Sequence, residues 1–307
     1  MPVTDDDIGM NGAEGAHETE TQVHIKIATV TTDVRRWIAA SMKALRLLTS
    51  AATVVLLVAG ASAATPIPLL QAHAHNDYDH AHPLTDALNC GFCSVEADIY
   101  LANGELLVAH NRSEVKTGRT LQALYLEPLC QRAKTNGGHV YPGRAEFTLL
   151  VDLKTDWQTT YPVLRAVLQE YADVLTRFRA GTKETNAVTV ILTGNRSKEM
   201  FAGESVRWAA LDGALTDMNG GEPASLIPWI SSNWRSTFKW NGLGTMPASE
   251  RDKLKQTVTK AHQAGRRIRF WGSPDQPVFW QEMLDAGVDL INTDDLVGLK
   301  EFLNKRQ

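Results

Sequence analysis

The sequence predicts one α/β domain, a (β/α)8 TIM barrel, over residues 64–307. From Ile67 onward, apolar strand candidates alternate with amphipathic helix candidates, which is the pattern of a parallel sheet. Eight strand candidates fit within about 240 residues, and one such barrel takes about 250 residues. The sequence has no GxGxxG or GxxxxGKS/T loop, which argues against an open nucleotide-binding sheet.

Each predicted strand is a short apolar or β-branched run, and most end in polar residues. The eight strands are predicted over residues 67–74, 92–101, 146–154, 187–195, 207–213, 225–233, 267–272 and 288–294. The turn signal Asn103-Gly104 is followed by a return strand over 105–110. Helices are predicted over residues 83–91, 120–136, 161–178, 250–265, 276–287 and 295–305. The first has Pro83 near its start and Gly91 past its end, and the later segments show helical periodicity.

Residues 42–63 carry the clearest targeting signal of the chain. Lys43 and Arg46 precede an apolar run, and Ala61-Ser62-Ala63 matches a small-x-small cleavage site. The run is short for a membrane span, which needs about 20 apolar residues. We therefore expect a signal peptide, with an uncleaved membrane anchor through 47–64 as the alternative.

The position of this signal predicts that Met42 is the true start and that residues 1–41 are a non-native or disordered extension. The mature chain is then expected to be secreted or periplasmic. The formal net charge is −4, so bulk electrostatics give no support to a nucleic-acid partner.

Acidic residues gather at the carboxyl ends of the predicted strands, where barrels of this kind carry their chemistry. Glu96 and Asp98 alternate along the second strand, so their side chains point to the same side. Asp152 ends the next barrel strand. Three carboxylates from neighbouring strands form a hard-oxygen site, which predicts one divalent cation, Mg²⁺ or Ca²⁺.

Basic side chains surround these carboxylates in the predicted barrel. His73 and His75 end the first strand, His110 ends the return strand, and Lys154 ends the third barrel strand. Histidine can act as general acid or base near neutral pH, and a lysine can stabilise charge that develops on a phosphate. These residue types together predict cleavage of a phosphodiester.

The stretch AHAHNDYDHAH, residues 72–82, holds four of the nine histidines and also suggests a zinc site. Zinc is disfavoured because the cluster lacks cysteine partners and the HExxH helical spacing. We interpret the stretch as the first catalytic loop of the barrel.

The run Glu96-Ala97-Asp98, then Asn103-Gly104, then LLVAH ending at His110, resembles the ExD…DG…LVxHD block of glycerophosphodiester phosphodiesterases. The closing run over 286–296, AGVDLINTDDL, resembles the GVDGIITD ending of that family. The run over 150–156, LVDLKTD, is similar to the sphingomyelinase D branch. The resemblance implies that the carboxylates bind metal, that the histidine is catalytic and that the lysine belongs to the site.

The opening HxHNDY, with PL…AL…G…SVEAD after it, is most similar to the fungal altered inheritance of mitochondria proteins and their bacterial relatives. These belong to the phosphatidylinositol-phospholipase-C-like (PI-PLC-like) phosphodiesterase superfamily, which implies a TIM barrel of that type. The HRG signature of glycerophosphodiesterases is absent. His75 is the preferred catalytic histidine, because its 21-residue spacing to Glu96 is close to the sphingomyelinase D arrangement. His73 stays the alternative.

The sequence thus predicts a metal-dependent phosphoric diester hydrolase for a glycerophosphodiester or phospholipid-type substrate, whether a small molecule or a lipid. We expect a monomer that contacts a membrane surface and does not bind nucleic acid. One alternative is a catalytically inactive barrel that binds a lipid or sugar phosphate. Another is a sugar hydrolase using Glu96 and Asp152 as its carboxylate pair.

Overall fold

The computed structural model describes residues 65–179 and 181–306, so the targeting signal and the segment before it lie outside the described residues. The strands of this part are, in chain order, β1 (Leu69–Ala74), β2 (Phe92–Ala102), β3 (Glu105–Val108), β4 (Phe147–Leu153), β5 (Arg177–Arg179), β6 (Thr182–Glu184), β7 (Val188–Gly194), β8 (Val206–Arg207), β9 (Ala209–Gly213), β10 (Trp229–Asn233), β11 (Arg267–Trp271) and β12 (Leu290–Thr293).

Eight of these strands form a closed parallel barrel in the order β1-β2-β4-β7-β9-β10-β11-β12, and β12 pairs with β1 to close it. The predicted (β/α)8 TIM barrel is therefore confirmed. Strand β3 adds antiparallel to β2 after a tight turn in which Asn103 and Gly104 both have positive φ. Strands β5, β6 and β8 form a small separate antiparallel sheet that the sequence pattern did not predict.

Helices connect most of the barrel strands and cover the outside of the barrel. They are α1 (Thr85–Asn89), α2 (Glu127–Thr135), α3 (Trp157–Glu170), α4 (Trp234–Thr237), α5 (Ala248–Gln263), α6 (Pro277–Ala286) and α7 (Leu296–Asn304). Two begin with an aspartate cap: Asp156 accepts from the backbone N–H of Thr159, and Asp295 accepts from that of Gly298. Within the described residues, no helix is both long and apolar enough to cross a bilayer.

The predicted helix over 161–178 is wrong at its end. Helix α3 ends at Glu170, and the last predicted residues belong to β5. Before β5, the backbone N–H of Thr176 donates to the Val188 carbonyl, and Phe178 is fully buried. Apolar spacing over so few residues fits a strand as well as a helix, so tertiary pairing decides the outcome.

The inside of the barrel changes from apolar to polar towards the carboxyl ends of the strands. The apolar layer is a separate cluster of inward-facing strand residues together with Phe178, namely Leu150, Phe178, Ile191, Ala210, Trp229 and Leu290. Along β2, Val95, Ala97 and Ile99 pack into the main core, so the alternate residues face inward. This parity directs Glu96 and Asp98 into the barrel above the apolar layer.

Candidate active site

Three carboxylates converge inside the barrel near the carboxyl ends of β2 and β4. Asp98 and Asp152 are register partners on these two strands, and Glu96 lies two residues earlier on β2. One oxygen from each of the three carboxylates lies within 4.8 Å of the others. Glu96 and Asp98 are buried, and Asp152 is half-buried. The strand pairing thus produces the cluster that the sequence predicts.

Two fully buried oxygens of this cluster have no hydrogen-bond partner in the described part of the chain. They are the buried Oδ1 atoms of Asp98 and Asp152. Burial and the neighbouring Asp152 raise the pKa of Asp98 to about 6, although hydrogen bonds from Tyr78 and Lys154 oppose the shift. Buried carboxylate oxygens without hydrogen-bond partners, at this spacing, fit a divalent cation. The oxygens would coordinate the cation, and its charge would offset theirs.

Lys154 lies beside the cluster and bridges two of its members. Its Nζ is 2.9 Å from Asp98 Oδ2 and 2.8 Å from Asp152 Oδ2. Burial acts against the charged form, but the hydrogen bonds and charges of both carboxylates outweigh it and raise the pKa of Lys154. The ammonium group is therefore held protonated at the edge of the cavity.

His75 and His110 lie at the mouth of the barrel, and the Nδ1 atom of each ring is within hydrogen-bond distance of another side chain. His75 Nδ1 is 2.8 Å from Asp294 Oδ1, and His110 Nδ1 is 3.0 Å from the Tyr78 hydroxyl. Burial lowers the pKa of His75, but the hydrogen bond with Asp294 and the nearby charge of Glu96 outweigh it, so the net shift is upward. The Nε2 atoms have no hydrogen-bond partner among the described residues, which leaves them available to a bound molecule.

His73 lies beneath the carboxylates and is completely buried. Its Nδ1 is 2.7 Å from Ser94 Oγ, and its Nε2 is 2.6 Å from Arg269 Nη1 and 3.4 Å from Glu96 Oε2. Burial first, and then the charge of Arg269, lower the pKa of His73 to about 3. The structure thus places His73 behind Glu96 as a neutral ring, whereas His75 faces the cavity.

The sequence did not single out Arg269, which lies on β11 with a side chain that is 3% exposed. Its Nη1 is 3.1 Å from Glu96 Oε2 and 3.0 Å from Asn292 Oδ1, and its Nε donates to Ser231 Oγ at 3.0 Å. The charge of Arg269 and the hydrogen bond with His73 outweigh burial and lower the pKa of Glu96. Strand parity between Ile268 and Phe270 indicates only that Arg269 faces the interior, and its partners come from strands that are distant in sequence.

These residues surround a cavity of about 400 Å³ at the carboxyl ends of the strands. It is lined by His75, Asn76, Glu96, His110, Asp152, Lys154, Thr193, Gly194, Arg269 and Trp271. A larger cavity of about 570 Å³ next to helix α4 is lined by aromatic residues, proline, asparagine, Arg235 and Lys239. Its lining contains no carboxylate or histidine, whereas the smaller cavity contains both.

Known proteins match this chain across the barrel. A model of the AIM6-like phosphodiesterase domain matches residues 62–208, and a model of the glycerophosphoryl diester phosphodiesterase family matches residues 267–296. The altered inheritance of mitochondria protein 6 of Eremothecium gossypii is 31% identical over 273 residues, which is 77% of this chain and 70% of that protein. The homolog from Arthroderma benhamiae is 28% identical over 268 residues, 77% of this chain and 84% of that protein.

Among solved structures, a calcium-dependent phosphoinositol-specific phospholipase C from the Gram-negative bacterium Pseudomonas sp. is similar in fold, with a TM-score of 0.52. The two chains are 14% identical, and the match covers 74% of this chain and 88% of the other. At this identity the likeness concerns the fold alone. The family expected from the sequence motifs is confirmed: the chain belongs to the altered inheritance of mitochondria protein 6 family, whose barrel is of the phosphodiesterase type.

Proposed function

We propose that this chain is a metal-dependent phosphoric diester hydrolase that acts on a glycerophosphodiester or phospholipid-type substrate by histidine acid–base catalysis. One observation carries the proposal: His75 and His110 line the same cavity as Glu96 and Asp152 of the carboxylate cluster, and each ring has Nδ1 in a hydrogen bond and no partner for Nε2 in the described part of the chain. A pair of histidines on either side of a phosphate can move both protons that phosphodiester cleavage requires.

The carboxylates of Glu96, Asp98 and Asp152 would hold one divalent cation, Mg²⁺ or Ca²⁺. A cation bound there supplies Lewis-acid stabilisation of the non-bridging phosphate oxygens. Lys154, held protonated beside the cluster, adds a fixed positive charge for the negative charge that develops on those oxygens.

The hydrogen-bond partners of the two histidines suggest their roles. Asp294 favours the protonated form of His75, so this ring donates its Nε2 proton to the leaving alkoxide as the P–O bond breaks. His110 accepts the proton of the attacking O–H at Nε2 as the new P–O bond forms. The attacker is water or a hydroxyl of the substrate. Water gives an open phosphate product, and a hydroxyl of the substrate gives a cyclic one, so the product distinguishes the two.

The first test is hydrolysis of bis(p-nitrophenyl) phosphate in Mg²⁺, in Ca²⁺ and in EDTA. We expect turnover that depends on the cation and is abolished in the Glu96→Gln/Asp98→Asn double variant. His110→Ala is expected to lower turnover by about 10²- to 10⁴-fold. The matched control is His262→Ala, because His262 pairs with Asp289 at 2.8 Å and does not line the cavity.

Turnover that persists in EDTA, or that His110→Ala leaves unchanged, would contradict the proposed mechanism. A complete lack of turnover, with no effect of either cation on the melting temperature, would contradict the metal site itself.

A second candidate is an inactive barrel that binds a lipid or sugar phosphate. The observation that favours it is the bridging position of Lys154, which already offsets part of the charge of Asp98 and Asp152 without a cation. Such a protein would bind a phosphate ester with equal affinity in EDTA and would not turn it over. Isothermal titration with glycerol phosphate, with and without cation, separates the two candidates.

We further propose that the protein works as a monomer at a membrane surface. Two large apolar side chains support the membrane contact: Trp271, at the rim of the cavity, is 41% exposed, and Leu243, in the segment between α4 and α5, is 68% exposed. Trp271 is the last residue of β11, and Gly242, next to Leu243, lies against Pro274 after that strand, so both side chains lie at the end of the barrel that carries the site. Sedimentation with anionic vesicles and the elution volume on gel filtration test the two statements.

We also propose that the protein is exported, with cleavage after Ala63 and residues 1–41 absent from the native product. The proposal is supported by the basic residues, apolar run and small-x-small motif within residues 42–63. N-terminal sequencing of the native precursor and of the mature protein is the test. Peptides from before Met42 would contradict translation from Met42. An intact segment 47–64 in the membrane fraction would favour an uncleaved membrane anchor.

A further inference from the structure

The Tyr78 hydroxyl sits between a carboxylate of the cluster and a histidine of the site. It is 2.7 Å from Asp98 Oδ2, 3.0 Å from His110 Nδ1 and 2.6 Å from Asn76 Oδ1. The direct distance from His110 Nδ1 to Asp98 Oδ2 is 3.4 Å, which is long for a hydrogen bond. The phenol is therefore the better-placed partner of the imidazole.

A count of protons at this point fixes the direction of the hydrogen bonds. A phenol has one proton to donate and two lone pairs. The charged acceptor Asp98 takes that proton, because hydrogen bonds to an ionised acceptor are about twice as strong as neutral ones. The Tyr78 oxygen can then only accept at its other two contacts, which requires a proton on His110 Nδ1 and an Asn76 amide turned by 180° so that Nδ2 replaces Oδ1.

The turn that carries Tyr78 is held firmly in place. Asp77 is fully buried and accepts hydrogen bonds from the backbone N–H of Leu84 at 2.5 Å and from the Tyr125 hydroxyl at 2.9 Å. Arg119 donates to the backbone carbonyl of Tyr78 at 2.9 Å. These contacts place the hydroxyl before any substrate binds, and the side chain of Tyr78 is itself buried.

We propose that Tyr78 is a positioning residue that holds the proton of neutral His110 on Nδ1 and so presents an unprotonated Nε2 to the cavity. This inference rests on the proposed function, since it gives His110 the tautomer that a general base needs. It also relates the two histidines of the site, because each is oriented through Nδ1, His75 by a carboxylate and His110 by a phenol.

The test is ¹⁵N NMR of the full chain labelled at its histidines, at a pH where the His110 ring gives neutral imidazole signals. The His110 signals are assigned from their absence in His110→Asn. In the unaltered protein we expect a protonated Nδ1 and an unprotonated Nε2, and a protonated Nε2 would overturn the proposal without any variant. In Tyr78→Phe we expect the two tautomers to mix.

The matched control is Tyr100→Phe, because the Tyr100 hydroxyl donates to the backbone carbonyl of His110 at 3.2 Å and not to its ring. The control is expected to keep the Nδ1–H tautomer. If Tyr78→Phe also keeps it, Asp98 rather than Tyr78 sets the tautomer, and the proposal is overturned.

Turnover supplies a second readout. Tyr78→Phe is expected to lower kcat by roughly 10- to 100-fold with little change in KM, as is usual when a hydrogen-bonded partner of a site residue is removed. The NMR result does not require turnover. A protein with the expected tautomer but no activity would therefore contradict the proposed function alone, and an active protein with the opposite tautomer would contradict the role of Tyr78 alone.

Discussion

Arg269 places Nη1 at 3.1 Å from Glu96 Oε2 in a part of the barrel where both side chains are almost fully buried. The same guanidinium lies 4.0 Å from a second buried carboxylate, that of Asp212, through Nη2. Burial raises the pKa of Asp212, and the charge of Arg269 opposes this shift. Arg269 thus serves as counter-charge to two acids that come from the non-adjacent strands β2 and β9.

Replacement of Arg269 by methionine is expected to destabilise the protein strongly. The change leaves Glu96 and Asp212 buried without the guanidinium that faces them. Removing one partner of a buried ion pair costs about 3–5 kcal/mol. Urea denaturation measures the change in the free energy of unfolding. Arg235→Met is the control, because Arg235 is exposed and exposed sites of this kind typically change stability by less than about 0.5 kcal/mol. Equal effects of the two substitutions would contradict the role given to Arg269.

The buried ring of His73 is expected to make folding sensitive to mild acid. Its pKa is about 3 in the folded protein against an ordinary value of 6.5. Below pH 6.5 the unfolded chain binds a proton that the folded chain does not, so stability falls as the pH is lowered from 6.5 towards 3. The slope from this group approaches about 1.4 kcal/mol per pH unit.

The measurement compares His73→Gln with the unaltered protein by urea denaturation in EDTA between pH 6.5 and pH 4. The variant is expected to lose stability less steeply. Asp77 and Asp98, whose folded pKa values are raised to about 6, act in the opposite direction, since they bind protons more readily in the folded state. They are present in both proteins, so the difference between the two curves reports His73. Parallel curves would mean that this ring is not held neutral.

Gly194 is expected to be essential for the position of Asp152. Its φ is +73°, and a Cβ placed there would lie 1.9 Å from Asp152 Oδ1 and 2.7 Å from the backbone oxygen of Leu153. Gly194→Ala should therefore displace the carboxylate and weaken cation binding by at least roughly 10-fold, on the scale of a lost ligand contact. The binding of Ca²⁺ is followed by isothermal titration.

Gly118→Ala is the matched control for this substitution. Gly118 has φ +84°, but no atom lies within 4 Å of the position of its Cβ. Both variants carry the same backbone strain, of order 1 kcal/mol. A loss of cation binding in Gly194→Ala alone therefore reports the displaced carboxylate, and an equal loss in both would refute the assignment of Asp152.

The sequence allowed the barrel and the carboxylate cluster to be predicted, because both follow from local alternation. Glu96 and Asp98 share a face by strand parity, and the parallel pairing of β2 with β4 brings Asp152 beside Asp98. The choice between His73 and His75 could not be predicted in the same way. Both have the same parity, and their depths depend on the register that pairs His73 with Ser94 across β1 and β2.

Arg269 and Tyr78 depend on distant contacts that no local pattern contains. Arg269 reaches Glu96 across 173 positions of sequence, which requires the barrel to close. Tyr78 reaches Asp98 only because the buried Asp77 fixes the turn between β1 and α1. Strand parity identifies residues that face the interior, but long side chains that cross the interior are identified only by the closed fold.

Lys154 provides the prediction that separates a hydrolase from a binding protein most clearly. Its Nζ lies within 3 Å of both Asp98 and Asp152, so it would compete with a cation for these carboxylates. Lys154→Met removes a positive charge that repels the cation, so it is expected to tighten Ca²⁺ binding. The gain is about 10-fold if this repulsion is worth near 1.4 kcal/mol. In the hydrolase, the same change removes a charge that stabilises the transition state, so kcat should fall by about 10²- to 10³-fold.

The opposite signs of these two effects make the result specific. Lys198→Met is the control, because Lys198 also bridges two carboxylates, Asp217 at 3.2 Å and Glu222 at 3.5 Å, but does not line the cavity. It should alter neither cation affinity nor turnover. Tighter cation binding in Lys154→Met together with lower turnover places the lysine in the reaction. If Lys154→Met instead weakens binding of a phosphate ester equally in EDTA and in Ca²⁺, the lysine holds the ligand without a cation, and the inactive binding barrel becomes the better account of this site.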